Sequence, residues 1–150
     1  MKPEDTIDFP IRWAWHGIQR QYNLIASRHE LTMTMGYVLL NIDMNEGTPS
    51  TQLGPKIGME PGSLTRTLKT MEDKGYIYKE SDVSDKRKVR ICLTELGHEK
   101  REVSKDAVLR FNEFFSKKIP NGKRKHFFDV MELINESLKN ENIFFQHEEN

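Results

Sequence analysis

Apolar residues recur at intervals of three and four over most of this chain, which is the spacing of one face of an α-helix. The first such stretch spans residues 9–28, where Pro10 suits the first turn of a helix. A second stretch follows Thr32, a good N-cap residue, and ends at Gly47. The pattern therefore predicts two amphipathic helices, with inward faces formed by Ile11, Ala14, Trp15, Ile18, Tyr22 and Ile25 and by Met35, Val38, Leu39 and Ile42.

Two shorter helices are predicted next, and each begins with a capping residue followed by proline. Thr48–Pro49 opens the third helix, which ends at Gly58, and Glu60–Pro61 opens the fourth, which ends at Gly75. Pro55 lies inside the third helix, where it removes one backbone hydrogen bond. Three short helices in succession make a tri-helical unit, and the inward face of the last one consists of Leu64, Leu68 and Met71.

Two strands follow the fourth helix. Residues 76–80 are rich in aromatic and β-branched side chains, and residues 89–93 alternate apolar with polar positions. The polar loop 81–88 joins them. The expected fold is therefore mainly α with a small β-hairpin wing.

Beyond Thr94 the pattern returns to helix for about 45 residues, with a break at residues 120–122. The first of these helices, of about 25 residues, would measure roughly 37 Å, which is longer than the compact middle of the chain can cover. Uncovered apolar faces on the first and last helices predict a partner, most simply a second copy related by a two-fold axis.

Charge is balanced overall but unevenly placed. The 150 residues contain 23 basic and 23 acidic side chains, which excludes a uniformly basic coating protein or an acidic tail. Residues 61–90 hold eight Lys and Arg against five Asp and Glu, a net charge of +3, and the remainder is at −3. The cations are therefore concentrated on one unit.

The sequence also limits where the protein works and what it contains. No stretch approaches the roughly 18 uncharged apolar residues that a membrane-spanning helix needs, and acidic residues occupy the N-terminus where a signal peptide would be apolar. We expect a cytoplasmic protein without membrane contact. The single cysteine, Cys92, cannot form an internal disulfide or a zinc cluster.

The outward face of the fourth helix is small, hydroxylated and basic. Such a face suits the DNA major groove, because small residues allow close approach, hydroxyls reach phosphates or base edges, and arginine bonds guanine through two donors. An isolated helix of this kind would simply be solvated, but here it lies between a short capped helix and a basic hairpin. The face consists of Gly62, Thr65, Arg66 and Lys69, flanked by Ser63 and Thr70.

The hairpin loop and the start of the strand that follows it carry four cations within five positions. A basic wing suits phosphates and the narrow minor groove, whose negative potential attracts arginine. The alternative is that these charges only keep an exposed edge soluble. The candidate DNA contacts of the wing are Lys86, Arg87, Lys88 and Arg90.

These segments together resemble the MarR family of bacterial transcription regulators. The resemblance rests on Gly62–Leu68, on Lys74–Ile77, and on the Asp-x-Arg of residues 85–87 followed by Leu-Thr at 93–94. The order of helices matches over nearly the whole chain. Two departures are Gly36, where many relatives carry a large aromatic, and Gly54–Pro55 in place of a more regular helical stretch.

The resemblance implies a single MarR-like domain that forms a homodimer. Its winged helix-turn-helix lobe would span about residues 33–94, and its dimerisation helices would span about 7–30 and 95–140. Two lobes would bind successive major grooves of a pseudo-palindromic, double-stranded DNA operator. In this reading Arg87 enters the minor groove, Asp85 braces a wing arginine, and the groove contacts are Ser63, Thr65, Arg66 and Lys69.

Family members often release DNA when a small aromatic effector binds between the dimer helices and the DNA-binding lobe. The residues that could line such a pocket are Trp13, Trp15, His16, Met33 and Tyr37. Aromatic and methionine residues at helical spacing also occur in ordinary cores, and that alternative stays open.

Other chemistries find little support in the sequence. Cys92 alternates with apolar residues of a strand and is expected to be inert. The five histidines show no metal-binding spacing, and no nucleophile motif or phosphate loop is present, so we expect no metal, no cofactor and no enzymatic activity. The histidines are His16, His29, His98, His126 and His147.

The sequence thus favours a homodimeric, sequence-specific DNA-binding regulator, most simply a repressor that occludes a promoter. The alternative is a winged-helix protein-interaction module that does not bind DNA. Concentration of the cations on one helix and one wing favours the regulator, because an interaction module has no need of it.

Overall fold

The fold consists of short helices around a small sheet, followed by two long helices. A computed structural model describes residues 2–140 and residue 143, and His147 lies outside this described part. A 3-10 turn at Pro3–Asp5 precedes the first helix. The elements in chain order are α1 (Asp8–Ser27), α2 (Met33–Asn41), β1 (Thr48–Pro49), α3 (Ser50–Ile57), α4 (Pro61–Asp73), β2 (Ile77–Ser81), β3 (Val89–Leu93), α5 (Glu95–Lys118) and α6 (Asn121–Asn140).

Helix α2 begins where the sequence predicts and ends earlier. The Thr32 hydroxyl accepts a hydrogen bond from the Met35 amide at 3.2 Å, which confirms Thr32 as the N-cap. The helix stops at Asn41 rather than near Gly47, because the Asp43 carboxylate accepts hydrogen bonds from two amides of the following turn. Gly47 completes this turn at a φ of +67°.

The predicted start of the third helix was wrong. Thr48 does not cap the helix: residues 48–49 form β1, which pairs antiparallel with β3, and Pro49 occupies the N-cap position of α3 without a side-chain cap. Thr48 lies opposite Ile91 and Pro49 opposite Arg90, and α3 follows directly. The expected two-stranded hairpin is therefore part of a three-stranded antiparallel sheet of order β1-β3-β2, and the mainly α fold class is confirmed.

The core of the lobe lies between α2, α3, α4 and the sheet. The helices contribute their predicted inward faces, and the sheet contributes Ile77 from β2 and Ile91 and Leu93 from β3. Tyr76, just before β2, is the largest of the fully buried side chains. The core includes Met35, Val38, Leu39, Ile42, Leu53, Leu64, Leu68, Met71, Tyr76, Ile77, Ile91 and Leu93.

Tyr76 also connects the wing to two other elements. Its carbonyl accepts a hydrogen bond from the Thr94 amide at 3.1 Å, just before α5. Its hydroxyl donates to the Glu30 carbonyl at 3.1 Å, in the turn between α1 and α2. Lys100 of α5 donates to the neighbouring His29 carbonyl at 2.8 Å. The base of the wing, the start of α5 and the turn after α1 are therefore held together.

The chain divides into two compact units, residues 1–109 and 110–150, with the boundary inside α5. Each unit carries large apolar side chains in contact with solvent. In the first unit, Trp13 of α1 is 73% exposed and stacks on Phe9 with 6.1 Å between ring centroids. In the second unit, Phe128 and Leu133 of α6 are 66% and 69% exposed. Both units thus present apolar surface of the kind that a partner covers.

Candidate nucleic-acid interface

Helix α4 has one buried and one exposed face. Its apolar residues lie in the core, as the periodicity predicts. Pro61 opens the helix at a position whose amide needs no partner within the helix. On the opposite face Ser63 is half-buried, and the fully exposed residues are those predicted to turn outward: Gly62, Thr65, Arg66, Lys69 and Thr70.

Hydrogen bonds along this face determine which polar groups remain available. The Arg66 guanidinium donates to the Ser63 hydroxyl at 3.3 Å. Thr65 donates its hydroxyl proton to the Pro61 carbonyl at 2.9 Å, and Thr70 donates to the Arg66 carbonyl at 3.1 Å. Among the described residues no carboxylate pairs with Arg66, so its other N–H groups are free to bind a ligand.

The wing loop is shaped by Asp82, which the sequence reasoning did not single out. This residue is only 6% exposed, and its carboxylate accepts hydrogen bonds from the Ser84 hydroxyl at 2.6 Å and the Ser84 amide at 2.8 Å. Those bonds, the hydroxyl first, and a further bond from Arg90 hold the pKa of the Asp82 carboxyl well below its usual range. The Asp-x-Ser spacing is typical of an Asx turn and is the signal that could have identified it.

Arg90 is engaged inside the protein, although the sequence placed it with the DNA contacts. Its guanidinium donates to Asp82 at 2.9 Å, to the Glu46 carbonyl at 2.8 Å and to the Gly47 carbonyl at 3.1 Å. The side chain is 22% exposed, and the bond to Asp82 raises the pKa of its guanidinium. Arg90 therefore ties the wing loop to the turn after α2.

The remaining wing cations lie at the tip of the loop and are exposed. The Arg87 guanidinium lies 3.3 Å from the Asp85 carboxylate and is 93% exposed. This is the bracing contact that the family resemblance implies for Asp85. Lys86 and Lys88 are exposed and have no carboxylate partner in the part of the chain that the structure describes. Lys69 of α4 has a weak pair with Asp73 at 3.8 Å, in which both side chains are well exposed.

A small cavity of about 30 Å³ lies in the first unit between α1, α2 and α5. Met33 and Tyr37 line it as the sequence suggested, whereas Trp13, Trp15 and His16 are not among its lining residues. These three residues are exposed along α1. The cavity is lined by Tyr22, Ile25, Ala26, Leu31, Thr32, Met33, Gly36, Tyr37, Leu40, Val103, Ser104, Ala107 and Val108.

Two tyrosines are among the residues that line this cavity. Tyr22 and Tyr37 meet edge to face with 6.3 Å between ring centroids. Burial, followed by the neighbouring Tyr37, raises the pKa of Tyr22 to about 12, and burial raises the pKa of Tyr37. Gly36 lies at the same wall, where an added Cβ would come within 3.2 Å of the Ser104 hydroxyl. The cavity is therefore apolar with uncharged hydroxyl groups.

The remaining candidate chemistries involve the cysteine, metal ions and membranes. Cys92 is buried, and burial raises the pKa of its thiol above the ordinary value, which disfavours the reactive thiolate. Within residues 2–140, His, Cys, Asp and Glu side chains form no group of three that could hold a metal ion. Over the same range, no helix has the length and apolar character to cross a membrane.

Comparison with known proteins agrees with this geometry. The sequence model of the MarR family matches residues 31–89, which run from the start of α2 into β3. The HTH-type transcriptional regulator TtmR of Methylorubrum extorquens is 34% identical over 63% of this chain and 48% of its own length. The HTH-type transcriptional regulator SarZ of Staphylococcus saprophyticus is 34% identical over 65% of this chain and 67% of its own length.

A solved structure shows the same fold. MepR of S. aureus, crystallised as a DNA complex, superposes with a TM-score of 0.81 at 16% identity, covering 88% of this chain and 98% of that one. The chain spans about half of the length of TtmR and two thirds of the length of SarZ. These two relatives are transcriptional regulators rather than enzymes. On this evidence the chain belongs to the MarR family of winged-helix transcriptional regulators.

Proposed function

We propose that this protein is a sequence-specific DNA-binding regulator that inserts α4 into the major groove and places its wing along the adjacent minor groove. The observation that carries the proposal is the pairing of an exposed helix face, including the unpaired Arg66, with an exposed basic wing tip on the same lobe. Base edges are read in the major groove and phosphates supply affinity. Residues 33–94 form the DNA-binding lobe in this proposal.

The exposed residues have different roles. Arg66 reads a guanine through two N–H donors, while Ser63 orients its guanidinium. Phosphates are neutralised by three lysines, Lys69, Lys86 and Lys88. Thr70 lies against the DNA backbone, and Arg87 enters the minor groove. Arg90 does not contact DNA in this proposal. It positions the wing, because all three of its hydrogen bonds are made within the lobe.

The protein acts as a homodimer in which residues 7–30 and 95–140 of two copies pack together. The exposed apolar side chains of α1 and α6 support this, since each unit leaves large hydrophobic groups in solvent. A second copy of the chain covers them with a two-fold axis, which also gives the pseudo-palindromic operator its symmetry. Occupancy of such an operator blocks a promoter, so the regulator is a repressor.

A small aromatic effector controls DNA binding through the cavity beside Tyr22 and Tyr37. The cavity's apolar wall and neutral hydroxyls suit a planar ligand with a polar substituent. At about 30 Å³ it holds roughly one water molecule, so ligand entry must displace the helices that line it. Titration of the DNA complex with small phenols and aromatic acids tests this, and continued DNA binding throughout would contradict it.

Selection of duplexes from a random pool, followed by two substitutions, tests the DNA-binding proposal. We expect a palindrome whose half-sites lie about one helical turn apart. Arg66→Ala should weaken binding to the selected operator by about 1–3 kcal/mol and relax preference at one base step, whereas Lys86→Ala should weaken operator and random DNA alike. Equal losses on both DNAs for both variants would remove α4 as the reading helix.

A further inference from the structure

Threonines on the reading face of α4 differ from the serine beside them in what they can offer to a base. A threonine hydroxyl has one proton to donate. Thr65 donates this proton to the Pro61 carbonyl at 2.9 Å, one helical turn earlier in the same helix. Donation to a guanine or a phosphate would require that bond to break, so the proton of the Thr65 hydroxyl is committed inside the helix.

The position of Thr65 makes its methyl group available for an apolar contact with a base. Thr65 is exposed and belongs to the first half of α4, the end of a recognition helix that comes nearest to the base edges. Gly62, also exposed, has no side chain to keep a base away. The adjacent polar capacity comes from Ser63, whose hydroxyl accepts a bond from Arg66 and keeps its own proton.

We propose that Thr65 determines specificity by apolar contact between its methyl group and the C5-methyl group of a thymine, next to the guanine read by Arg66. Thymine is the base that presents a methyl group in the major groove, and threonine methyls are among its known partners. This inference rests on the proposed insertion of α4 into the major groove. It assigns Thr65 an apolar role in place of the hydroxyl contact that its residue type suggests.

Two substitutions separate the methyl group from the hydroxyl. Thr65→Val keeps a methyl and removes the hydroxyl, and we expect it to bind the selected operator within about twofold of wild type. Thr65→Ser keeps the hydroxyl and removes the methyl, and we expect a loss of about fourfold, as for one buried methyl group. Thermal melting of both variants checks that they fold. We expect an unchanged Tm, because Thr65 is exposed on α4.

The DNA supplies the matching half of the experiment. Replacing the contacted thymine by deoxyuridine removes only the C5-methyl, and this should weaken wild-type binding by about fourfold. The same replacement should have no effect on Thr65→Ser, because the methyl pair is already absent. Equal weakening of wild type and Thr65→Ser by every thymine replacement, or a larger loss for Thr65→Val than for Thr65→Ser, would overturn the proposal.

Failure of the underlying function would look different. If wild-type protein showed no preference for a selected duplex over a random one, α4 would not read DNA at all. If wild-type protein preferred the operator but ignored deoxyuridine at every position, DNA recognition would stand and the thymine contact alone would be wrong.

Discussion

Individual side chains in this lobe either face solvent or hold the wing in place, and residue type does not distinguish the two. Arg87 and Arg90 are three positions apart in a basic run, yet one guanidinium is 93% exposed while the other side chain is 22% exposed. The difference arises from Asp82, which is buried and faces Arg90. A wing held in this way presents its tip in a defined position, so less conformational entropy is lost when the tip binds DNA.

The Tm at pH 7 should fall in both Asp82→Asn and Arg90→Ala, because each weakens or removes the ion pair between Arg90 and Asp82. Lys88→Ala should leave the Tm unchanged. The folded-state pKa of Asp82 lies below the unfolded value of about 3.9. Its carboxylate therefore stabilises the fold above that pH, and the contribution is lost as pH falls toward the folded pKa. The Tm difference between wild type and Asp82→Asn should shrink from pH 7 to about pH 3. A difference that stays constant in thermal melts at both pH values would show that the Asp82 charge does not stabilise the wing.

At the level of elements, the junction between the wing and α5 depends on the absence of a side chain at Gly97. A Cβ atom there would collide with the Tyr76 carbonyl, and the Gly97 amide donates to the Thr94 hydroxyl at 2.9 Å. Thr94, from the Leu-Thr pair of the family-like motif, and Gly97 thus act together at this junction. Thr94 caps α5, while the absence of a side chain at Gly97 allows the backbone of Tyr76 to approach.

Gly97→Ala should lower the free energy of unfolding by about 1–3 kcal/mol, because the added methyl meets backbone that cannot move aside. Gly122→Ala is the matched control near the start of α6, where an added Cβ meets open space. There the better helix propensity of alanine should raise stability by roughly 0.5–1 kcal/mol. Denaturant titration of both variants checks this, and equal stability of the two would disprove close packing at Gly97.

The sequence predicted those elements whose signals are local. The bounds of α1, α4 and β3 follow from apolar spacing, Pro61 and strand alternation, and the structure agrees. The strand β1 was missed because a two-residue strand is defined by its partner β3, more than 40 positions away in the chain. The internal role of Arg90 depends on the same distant pairing, and no spacing rule reveals it. The exposed face of α4 could be predicted from the sequence. The hydrogen bond from the Thr65 hydroxyl to the Pro61 carbonyl is seen only in the structure.

At the level of the whole molecule, the net charge of zero is the sum of a basic segment and an acidic remainder. The segment 61–90 holds a net charge of +3, and two of its acidic residues, Asp82 and Asp85, are used to anchor or brace wing arginines. The rest of the chain is at −3 and carries the exposed apolar side chains of α1 and α6. A protein of this kind should bind DNA through a few cations of one surface rather than through its overall charge.

Sedimentation at micromolar concentration should give about twice the 17.6 kDa mass of one chain, because pairing covers the apolar helix faces. Leu133→Glu on α6 should shift the protein toward monomer by placing a charge in the interface. Val83→Glu is the control, since Val83 is 99% exposed on the wing loop and lies outside the dimerisation helices. A monomeric wild type, or equal effects of both substitutions, would exclude the proposed dimer.

The salt dependence of operator binding tests the central claim most directly. Three lysines per protomer, Lys69, Lys86 and Lys88, are assigned to phosphates. A dimer should therefore lose affinity by about a thousandfold between about 50 mM and 200 mM salt, and should prefer the selected operator to a random duplex at both. Affinity that does not change with salt would contradict the account and favour a winged-helix module that binds another protein.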